Sequence, residues 1–472
     1  MLTRLKLTNF KSWRERDRDI ELAPVTLLFG TNSSGKSSIL QSLLLIKQTA
    51  EGFDRGQHLN LGGEIRDYIN LGSYRDLIYK HDENNDLGIS FTWEWEDGLT
   101  GASEYYPVKI DTELISYSAI WKQVGDTIRL TKLRYEGLDR NVTQPKVFVD
   151  VEYKAQKYQY RVSEPYKLQL PGIPSASRNS ADGEVTSEPE SGYRLPNANL
   201  EQPIYQENVS GEQEWMGTEE ISTDKFNTAF ESIIEAMFYL APLRQYPRRT
   251  YQWSGSIPKT IEPDGGNAIA ALIAMGRRNE KLLQQVSYWL AKLGIVDDFQ
   301  IQPLDRDKRF YEAQIRIGET TSALLDVGFG VSQVLPVITL LFFAPEGSII
   351  LLEQPELHLH PRAQAVLADL FLEVAEKRNL QLIVESHSEH LLRRMQRRIA
   401  ETEYAWATPE KVRAYFCSSG EEGSQIEDVQ IDEYGQIRNW PDKFFGDISG
   451  DLSALMNAAL QRRREELRKL EQ

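Results

Sequence analysis

The feature that most constrains this chain is a glycine-rich segment near its start, Gly-Thr-Asn-Ser-Ser-Gly-Lys-Ser at 30–37. Two glycines enclose four residues and are followed by lysine and serine, which is the spacing of a phosphate-binding loop. Apolar residues in 20–29 predict a strand before the loop, and apolar residues at helical spacing in 39–46 predict a helix after it. The segment therefore predicts the strand–loop–helix unit of an α/β nucleotide-binding fold.

The backbone and side chains of this loop have separate expected roles. Its N–H groups point at phosphates, which requires glycine where φ is positive or space is short, and the helix N-terminus adds partial positive charge. Lys36 is expected to reach the β- and γ-phosphates of ATP, and the hydroxyl of Ser37 to ligate Mg²⁺. The expected nucleotide contacts in the loop are Asn32, Ser33, Ser34, Gly35, Lys36, Ser37 and Ser38.

An acidic strand end far along the chain supplies the expected partner for the metal. Residues 348–353 are a short apolar run that ends in Glu353, and they predict a buried parallel strand. The carboxyl end of such a strand is where α/β sheets bind ligands. We expect Glu353 to hold Mg²⁺ through water, and Glu356, three residues later, to orient the attacking water.

Two further segments are typical of phosphate sites. Gly-Phe-Gly-Val-Ser-Gln at 328–333 precedes an apolar helix and predicts a second anion-binding helix N-terminus. Residues 380–384 predict another buried strand. His387 lies just past the end of that strand, where its ring could bond a γ-phosphate.

Four of the six histidines fall in this region and raise zinc binding as an alternative: His358, His360, His387 and His390. His358 and His360 stand two residues apart beside acids and could ligate a metal. The nucleotide interpretation is preferred, because the histidines lie within recognisable phosphate-site elements. A single cysteine, Cys417, excludes an intramolecular disulfide framework and a multi-cysteine zinc site, and it fits a reducing cytoplasm.

The charge balance limits the partners that are expected. The chain carries 70 acidic and 54 basic side chains and a net charge of −16, which argues against coating DNA through general positive charge. A basic aromatic segment at 244–251 has two interpretations, nucleic-acid contact or an ordinary loop with arginines stacked on tyrosines. The most apolar stretch, 334–344, is too short to span a bilayer, so a soluble cytoplasmic protein with no membrane partner is expected.

The long middle of the chain predicts a β-rich region rather than a coiled coil, because no heptad repeat is sustained. Short alternating segments predict a β meander with strands at 87–95, 105–115, 127–135, 146–153 and 158–162. Residues 163–223 are rich in Pro, Ser, Gly, Asn and Glu and predict long loops. Helices are predicted at 231–240 and 280–293, a packing or docking segment at 440–445, and a charged helix at 461–469.

These motifs together resemble those of the ABC-type ATPases of the SMC, RecF and OLD group. The resemblance is carried by the opening strand motif at 5–12, Asn32 within the Walker A loop, the signature-like 328–333, the OLD-like Walker B and D-loop at 353–361, and the switch-histidine loop at 386–389. Residues 239–244 and 435–445 are similar to a bacterial subfamily with an uncharacterised C-terminal domain.

The resemblance implies an α/β P-loop NTPase, an ABC/SMC-type head with a β-rich insertion between Walker A and the signature. The implied divisions are 1–55 and 226–410 for the two parts of the ATPase head, 56–225 for the insertion, and 411–472 for a small C-terminal domain. In this group two heads sandwich two ATP molecules, so Ser332 of one subunit would face the γ-phosphate held by Lys36 of the other.

The resemblance also implies residue roles, with ATP and Mg²⁺ as cofactors. The implied catalytic residues are Glu356, His387 and Lys36, and the implied nucleotide contacts outside the loop are Ser332, Gln333 and His360. An ATP-dependent homodimer or higher homo-oligomer is expected to act as a switch on a separately encoded effector, such as a nuclease or toxin, or on DNA. The implied setting is bacterial anti-phage defence or genome maintenance.

The activity expected in this chain is ATP hydrolysis alone. Asp-x-Asp does not occur after His390, so the metal-dependent nuclease carried by many OLD proteins is not expected here. Two alternatives stay open. One is an ATP-bound scaffold with negligible turnover, and the other is a DNA-repair ATPase that acts directly on DNA.

Overall fold

The fold is given by a computed structural model that describes most of the chain. The described residues are 1–15, 18–52, 58–64, 67–95, 99–102, 107–110, 112–140, 142, 144–154, 157–163, 167–169, 182–185, 194–195, 199–207, 213–441, 453–460 and 462–463. The charged helix predicted at 461–469 lies outside them except for 462–463, as do residues 442–445 of the predicted docking segment and much of 163–223.

The described elements are mainly strands up to Ser222, and strands and helices are interspersed after it. The strands are β1 (Leu2–Thr8), β2 (Ile20–Glu21), β3 (Val25–Gly30), β4 (Leu87–Glu94), β5 (Leu99–Ala102), β6 (Pro107–Ile110), β7 (Leu114–Val124), β8 (Thr127–Leu138), β9 (Val147–Lys154), β10 (Lys157–Val162), β11 (Lys167–Gln169), β12 (Asp182–Val185), β13 (Asn199–Glu207), β14 (Gln213–Ser222), β15 (Met237–Leu240), β16 (Tyr251–Gln252), β17 (Asp298–Pro303), β18 (Phe310–Ile317), β19 (Thr320–Ala323), β20 (Ile349–Glu353), β21 (Gln381–Glu385), β22 (Val412–Gly420) and β23 (Gly423–Asp428). The helices are α1 (Lys36–Glu51), α2 (Tyr74–Leu77), α3 (Asp224–Glu235), α4 (Ala268–Arg278), α5 (Glu280–Lys292), α6 (Phe329–Phe343), α7 (Pro361–Arg378) and α8 (Glu389–Ala400), with short 3-10 turns at Tyr79–His81, Leu324–Asp326 and Thr402–Tyr404.

A central sheet runs in the order β15-β20-β21-β3-β22-β23, with the first five strands parallel and β23 antiparallel. Every residue of β20 and β21 is buried, as the continuous apolar runs predict for strands covered on both faces. Their register pairs Glu353 with Glu385, so two acids end neighbouring strands at the same edge. This architecture confirms the predicted α/β class.

The central sheet separates two hydrophobic cores. Leu27 packs with residues of α4 to α8 on one face, whereas its neighbour Leu28 packs with α1, α3 and the antiparallel sheet on the other. The same alternation assigns Leu352 to the first core and Leu351 to the second. Because α1 follows β3 directly, the loop between them lies at the carboxyl edge of the sheet.

The middle of the chain forms an antiparallel sheet that also includes the N-terminal strand. Its order is β12-β10-β9-β8-β7-β4-β1-β2, and β4 pairs directly with β1. The strands predicted at 87–95, 127–135, 146–153 and 158–162 are confirmed within a few residues by β4, β8, β9 and β10. The strand predicted at 105–115 is confirmed only in part, since β6 covers Pro107–Ile110 and a separate strand, β7, runs from Leu114 to Val124.

Three other predictions differ from the structure. The helix predicted at 231–240 is wrong in its second half, because α3 ends at Glu235 and β15 pairs in parallel with β20; this tertiary pairing outweighs local helical periodicity. The loops predicted at 163–223 contain the hairpin of β13 and β14, held by backbone pairing. The strand predicted at 20–29 is divided at Pro24, which has no N–H to continue a ladder.

The start of the predicted C-terminal domain lies within the central sheet. Strand β22 pairs in parallel with β3, and the register sets Cys417 opposite Gly30. Strand β23 then pairs with β22 at the sheet edge. Strand β22, which follows the boundary predicted at residue 411, therefore supplies the hydrogen-bonding partner that β3 needs on this side of the central sheet.

We expect Gly30→Ala to destabilise the fold by about 3 kcal/mol, from backbone strain and overpacking together. Gly30 has a φ of +141°, and a Cβ there would lie 2.0 Å from the carbonyl oxygen of Cys417. Gly125 is the matched control, since its φ is +60° but nothing lies within 4 Å of an added Cβ. Denaturant unfolding should show a loss of about 1 kcal/mol for Gly125→Ala, and equal losses would contradict the steric argument.

Candidate functional site

The loop between β3 and α1 lies against residues from two distant parts of the chain, Trp13 and Ser424. Gly35 adopts the left-handed conformation at the N-cap of α1, with a φ of +88°. A Cβ on Gly35 would lie 2.5 Å from Oγ of Ser424 on β23 and 2.8 Å from Nε1 of Trp13. Trp13 Nε1 donates to the Gly35 carbonyl at 3.0 Å. Ser34 Oγ is buried without a hydrogen-bond partner, so the loop retains an unused polar group.

The lysine of the loop folds back over it. Lys36 is 3% exposed, and its Nζ donates to the carbonyl oxygens of Thr31 at 2.7 Å and Gly30 at 3.2 Å. Burial lowers the pKa of Lys36, and the charge of Glu385 opposes this shift. The amine is therefore already positioned over the loop, where a bound phosphate oxygen could replace these neutral acceptors with a charged one.

The predicted metal-binding acid is buried at the end of β20. Glu353 is 7% exposed and its Oε1 accepts a hydrogen bond from the Tyr239 hydroxyl at 2.9 Å. Burial raises the pKa of Glu353 to about 7, and the charge of Glu385 contributes to the same shift. Lys11, whose Nζ donates to Gln41 on α1, acts in the opposite direction. The strand end thus concentrates negative charge that favours a cation.

A third acid was not among the predicted site residues. Glu385 ends β21 and is 4% exposed, and its Oε2 has no hydrogen-bond partner. Burial raises its pKa, while a hydrogen bond from Ser37 and the charge of Lys36 oppose the rise. The sequence signal was available, because Glu385 follows a short apolar strand as Glu353 does. Its position beside Ser37 depends on β21 lying between β20 and β3.

The predicted water-orienting acid is tied to the loop after β21. Glu356 Oε1 accepts from Ser386 Oγ at 2.7 Å and from the His387 backbone N–H at 2.8 Å. Its Oε2 is buried without a partner, and burial raises the pKa of this carboxyl. His387 itself is exposed, and partial desolvation together with Lys36 lowers its pKa. The structure therefore brings Lys36, Glu356 and His387 into one neighbourhood.

The signature-like residues occupy a different place. Ser332 Oγ donates to the Phe329 carbonyl at 2.7 Å in the first turn of α6, and Gln333 Nε2 is buried without a partner. Across the described ranges, no hydrogen bond or ion pair joins Ser332 or Gln333 to the loop at 30–37. Within a single chain, the signature and the phosphate-binding loop are thus not joined.

The histidines on the loop after β20 have other neighbours. The ring of His358 packs edge-on against Phe329 at 5.0 Å, and Nδ1 of His360 accepts from the Arg362 N–H at 3.3 Å as the N-cap of α7. Among the residues that the structure describes, no group of three or more His, Cys, Asp or Glu side chains is arranged to hold a metal ion. The zinc alternative gains no support from these contacts.

The basic aromatic segment at 244–251 does not form one patch. Arg249 makes two hydrogen bonds to Asp326, at 2.7 and 2.9 Å, and Arg248 donates its backbone N–H to the Tyr251 hydroxyl. Arg244 is buried and donates to the Glu353 carbonyl at 3.3 Å. The segment therefore separates into an exposed ion pair and a buried arginine that belongs to the acidic site.

The acids and the loop fit a divalent cation bound together with nucleotide phosphates. Ser37, Glu353 and Glu385 offer oxygen ligands, and burial together with the charge of Glu385 disfavours the ionised form of Glu353. Mg²⁺ prefers one or two protein oxygens and takes its other ligands from phosphate and water. The donor set therefore fits a divalent cation that shares its ligands with nucleotide phosphates.

Comparison with known families agrees with this geometry. The profile of the AAA ATPase domain family (AAA_15) matches residues 1–392. The chain belongs to this ATPase family. A protein family of unknown function, DUF3696, matches residues 408–455, where the resemblance placed an uncharacterised C-terminal domain. No curated protein matches the chain.

Solved SMC heads are similar to this ATPase over most of its length. An Smc head bound to the C-winged helix domain of ScpA has 12% identity and a TM-score of 0.42, covering 91% of this chain and 98% of its own. The SMC head domain from Thermotoga maritima has 13% identity and a TM-score of 0.40, covering 91% and 99%. In the described residues, no helix has the length and hydropathy needed to cross a membrane.

We expect the stability of the ATPase without nucleotide or Mg²⁺ to fall as pH rises from about 4.3 to 7. Burial raises the pKa of Glu353 to about 7, so within this window the folded chain keeps a proton that the unfolded chain has released. Glu353→Gln removes this titration. In EDTA, denaturant unfolding should show that the free energy of unfolding decreases between these two pH values, and that the decrease is smaller by about 2 kcal/mol in the variant. Identical pH profiles would contradict the assignment.

Proposed function

We propose that this ATPase binds and hydrolyses ATP as a switch, and that it assembles through ATP held between two heads. The observation that supports this best is the convergence of Lys36, Ser37, Glu353, Glu356 and Glu385 at the carboxyl edge of one parallel sheet. Each element of a phosphoryl-transfer site has a candidate there: a phosphate cradle, oxygen ligands for a cation, and a buried carboxylate beside an exposed histidine.

Lys36 and the N-terminus of α1 would bind the phosphates. Ser37 and Glu353 would hold Mg²⁺, which would supply positive charge to neutralise the phosphates. Glu356 orients the attacking water through its unpartnered Oε2, because its other oxygen is fixed by Ser386 and the His387 N–H. The lowered pKa of His387 favours its neutral ring, whose one N–H can donate a hydrogen bond to an oxygen of the terminal phosphate.

Assembly of two subunits is supported by the placement of the signature-like helix. In the described residues, no hydrogen bond or ion pair joins Ser332 or Gln333 to the loop of their own chain, although both lie near the N-terminus of α6, which could bind an anion. Two large apolar side chains are exposed at this helix start: Phe329 is 41% exposed, and the ring of Tyr246, 68% exposed, lies 5.8 Å from the ring of Phe329. Such a surface fits contact with a second copy, whose Lys36 site the signature would complete.

The proposed output is control of a separately encoded effector or of DNA, in anti-phage defence or genome maintenance. Size-exclusion chromatography with light scattering, with and without ATP and Mg²⁺, tests assembly, and phosphate release tests turnover. Nucleotide-dependent mass together with turnover supports the switch. Nucleotide-dependent mass without turnover favours a scaffold, and a mass that never responds to nucleotide contradicts the ATP-sandwiched assembly.

A further inference from the structure

The loop after β15 contains a buried arginine whose hydrogen-bonding capacity is largely unused. The Arg244 side chain is 8% exposed, and Nη2 donates to the backbone carbonyl of Glu353 at 3.3 Å. Nε and Nη1 are buried without a hydrogen-bond partner. Within the described part of the chain, Arg244 forms no ion pair. The guanidinium has five N–H donors, and one of them makes a hydrogen bond, whose donor–acceptor distance of 3.3 Å is long.

Burying Arg244 costs desolvation free energy, because the guanidinium loses hydrogen bonds to water that the chain does not replace. A ligand that accepted hydrogen bonds from its free donors would offset this cost. Burial lowers the pKa of Arg244 to about 10, with Glu356 and Tyr239 opposing the shift, so the group stays charged at neutral pH. Glu356 also keeps an unpartnered oxygen, Oε2. The two groups attract each other but form no ion pair, and neither satisfies the other.

The position of Arg244 in the sheet indicates which part of a nucleotide it can reach. The strand order β15-β20-β21-β3 places the loop of Lys36 after β3 and Arg244 after β15, with Glu353 between them. A phosphate chain cradled by the loop after β3 would extend toward the acids at the ends of β21 and β20. The group at its far end is the terminal phosphate.

We propose that Arg244 binds the terminal phosphate of ATP through Nε and Nη1, so that the site distinguishes a nucleoside triphosphate from a diphosphate. The planar guanidinium presents two parallel N–H donors that match two phosphate oxygens, and it remains charged in a buried site. The inference rests on the proposed function, and it deepens that function by naming the residue that senses the γ-phosphate.

The test is equilibrium binding of ADP and of the non-hydrolysable triphosphate AMP-PNP to the full chain with Mg²⁺, measured by competition with a fluorescent nucleotide. For Arg244→Gln we expect AMP-PNP affinity to fall about 10- to 100-fold, while ADP affinity changes less than about twofold. Arg249→Gln is the matched control, because this arginine lies five residues away in an exposed pair with Asp326. It should leave both affinities unchanged.

An equal loss for both nucleotides, or no loss for either, would overturn the proposal, since a purely structural arginine does not discriminate between them. Arg244→Lys keeps the buried charge but lacks the paired donors, and we expect it to show a selective loss of about fivefold. If circular dichroism shows that Arg244→Gln is unfolded, Arg244→Lys decides. The mass of the wild-type chain with AMP-PNP tests assembly separately, so failure of the assembly and failure of the Arg244 contact are distinguishable.

Discussion

Lys36→Ala is expected to abolish ATP turnover, with phosphate release falling at least about 100-fold. The amine already lies over the loop, bonded to the carbonyls of Gly30 and Thr31. Without the amine, the negative β- and γ-phosphate oxygens would lie near the negative ends of these two carbonyl dipoles, which disfavours binding. Nucleotide binding should weaken together with turnover, and both can be followed by phosphate release and by competition with a fluorescent nucleotide.

A second buried lysine on α1 provides the matched control for this prediction. Lys47 is 4% exposed, and its Nζ donates to Glu51 at 2.6 Å and to the Ile234 carbonyl at 2.9 Å. Lys47→Ala should lower stability by loosening the contact of α1 with α3, yet leave the nucleotide affinity of the folded protein near wild type. If Lys36→Ala bound nucleotide with wild-type affinity, the assignment of Lys36 as a phosphate-binding residue would be wrong.

Glu356→Gln is expected to lower phosphate release about 10²- to 10⁴-fold, the usual contribution of a general base. The substitution keeps the shape of the side chain, and an amide oxygen can still accept from Ser386 and from the His387 N–H. The fold and ATP binding should therefore persist. In the proposed switch, assembly needs ATP and release needs hydrolysis, so the variant should show a higher mass with ATP than the wild type does.

An exposed acid on α7, Glu376, provides the control for charge removal. Glu376→Gln should turn over ATP and change mass as the wild type does. Wild-type turnover in Glu356→Gln would show that Glu356 does not orient the water, and Glu353 and Glu385 would then be the acids to test. A loss of turnover without a rise in mass would contradict ATP as the link between subunits.

The acidic part of the site was only half predictable from the sequence. Glu353 and Glu385 both follow short apolar runs, so each could be assigned to a strand end. Their pairing could not be assigned, because it depends on β20 and β21 being neighbours in register. The hydrogen bond from Ser37 to Glu385 depends further on β21 lying next to β3. Which strands become neighbours in the sheet depends on how their apolar faces are buried, and not on their spacing along the chain.

Arg244 shows where local sequence misleads. Arginines and tyrosines in 244–251 predict a basic surface segment, yet Arg244 is buried while Arg249 is exposed. The difference arises because β15, which the sequence presents as part of a helix, joins the central sheet beside β20. That pairing brings the loop after β15 against Glu353, which lies 109 residues further along the chain.

The sequence by itself determined the phosphate-binding loop, its lysine and serine, and the strand and helix around it. These features are local, since a left-handed glycine at the N-cap and a helix start are set by neighbouring residues. Only the tertiary structure decided that β22 and β23 complete the central sheet, and that Glu353 and Glu385 end neighbouring strands with Glu385 near Lys36. It also decided that, in the described residues, no hydrogen bond joins Ser332 to the loop of its own chain. Those arrangements join distant segments, and they follow from strand order and the packing of two cores.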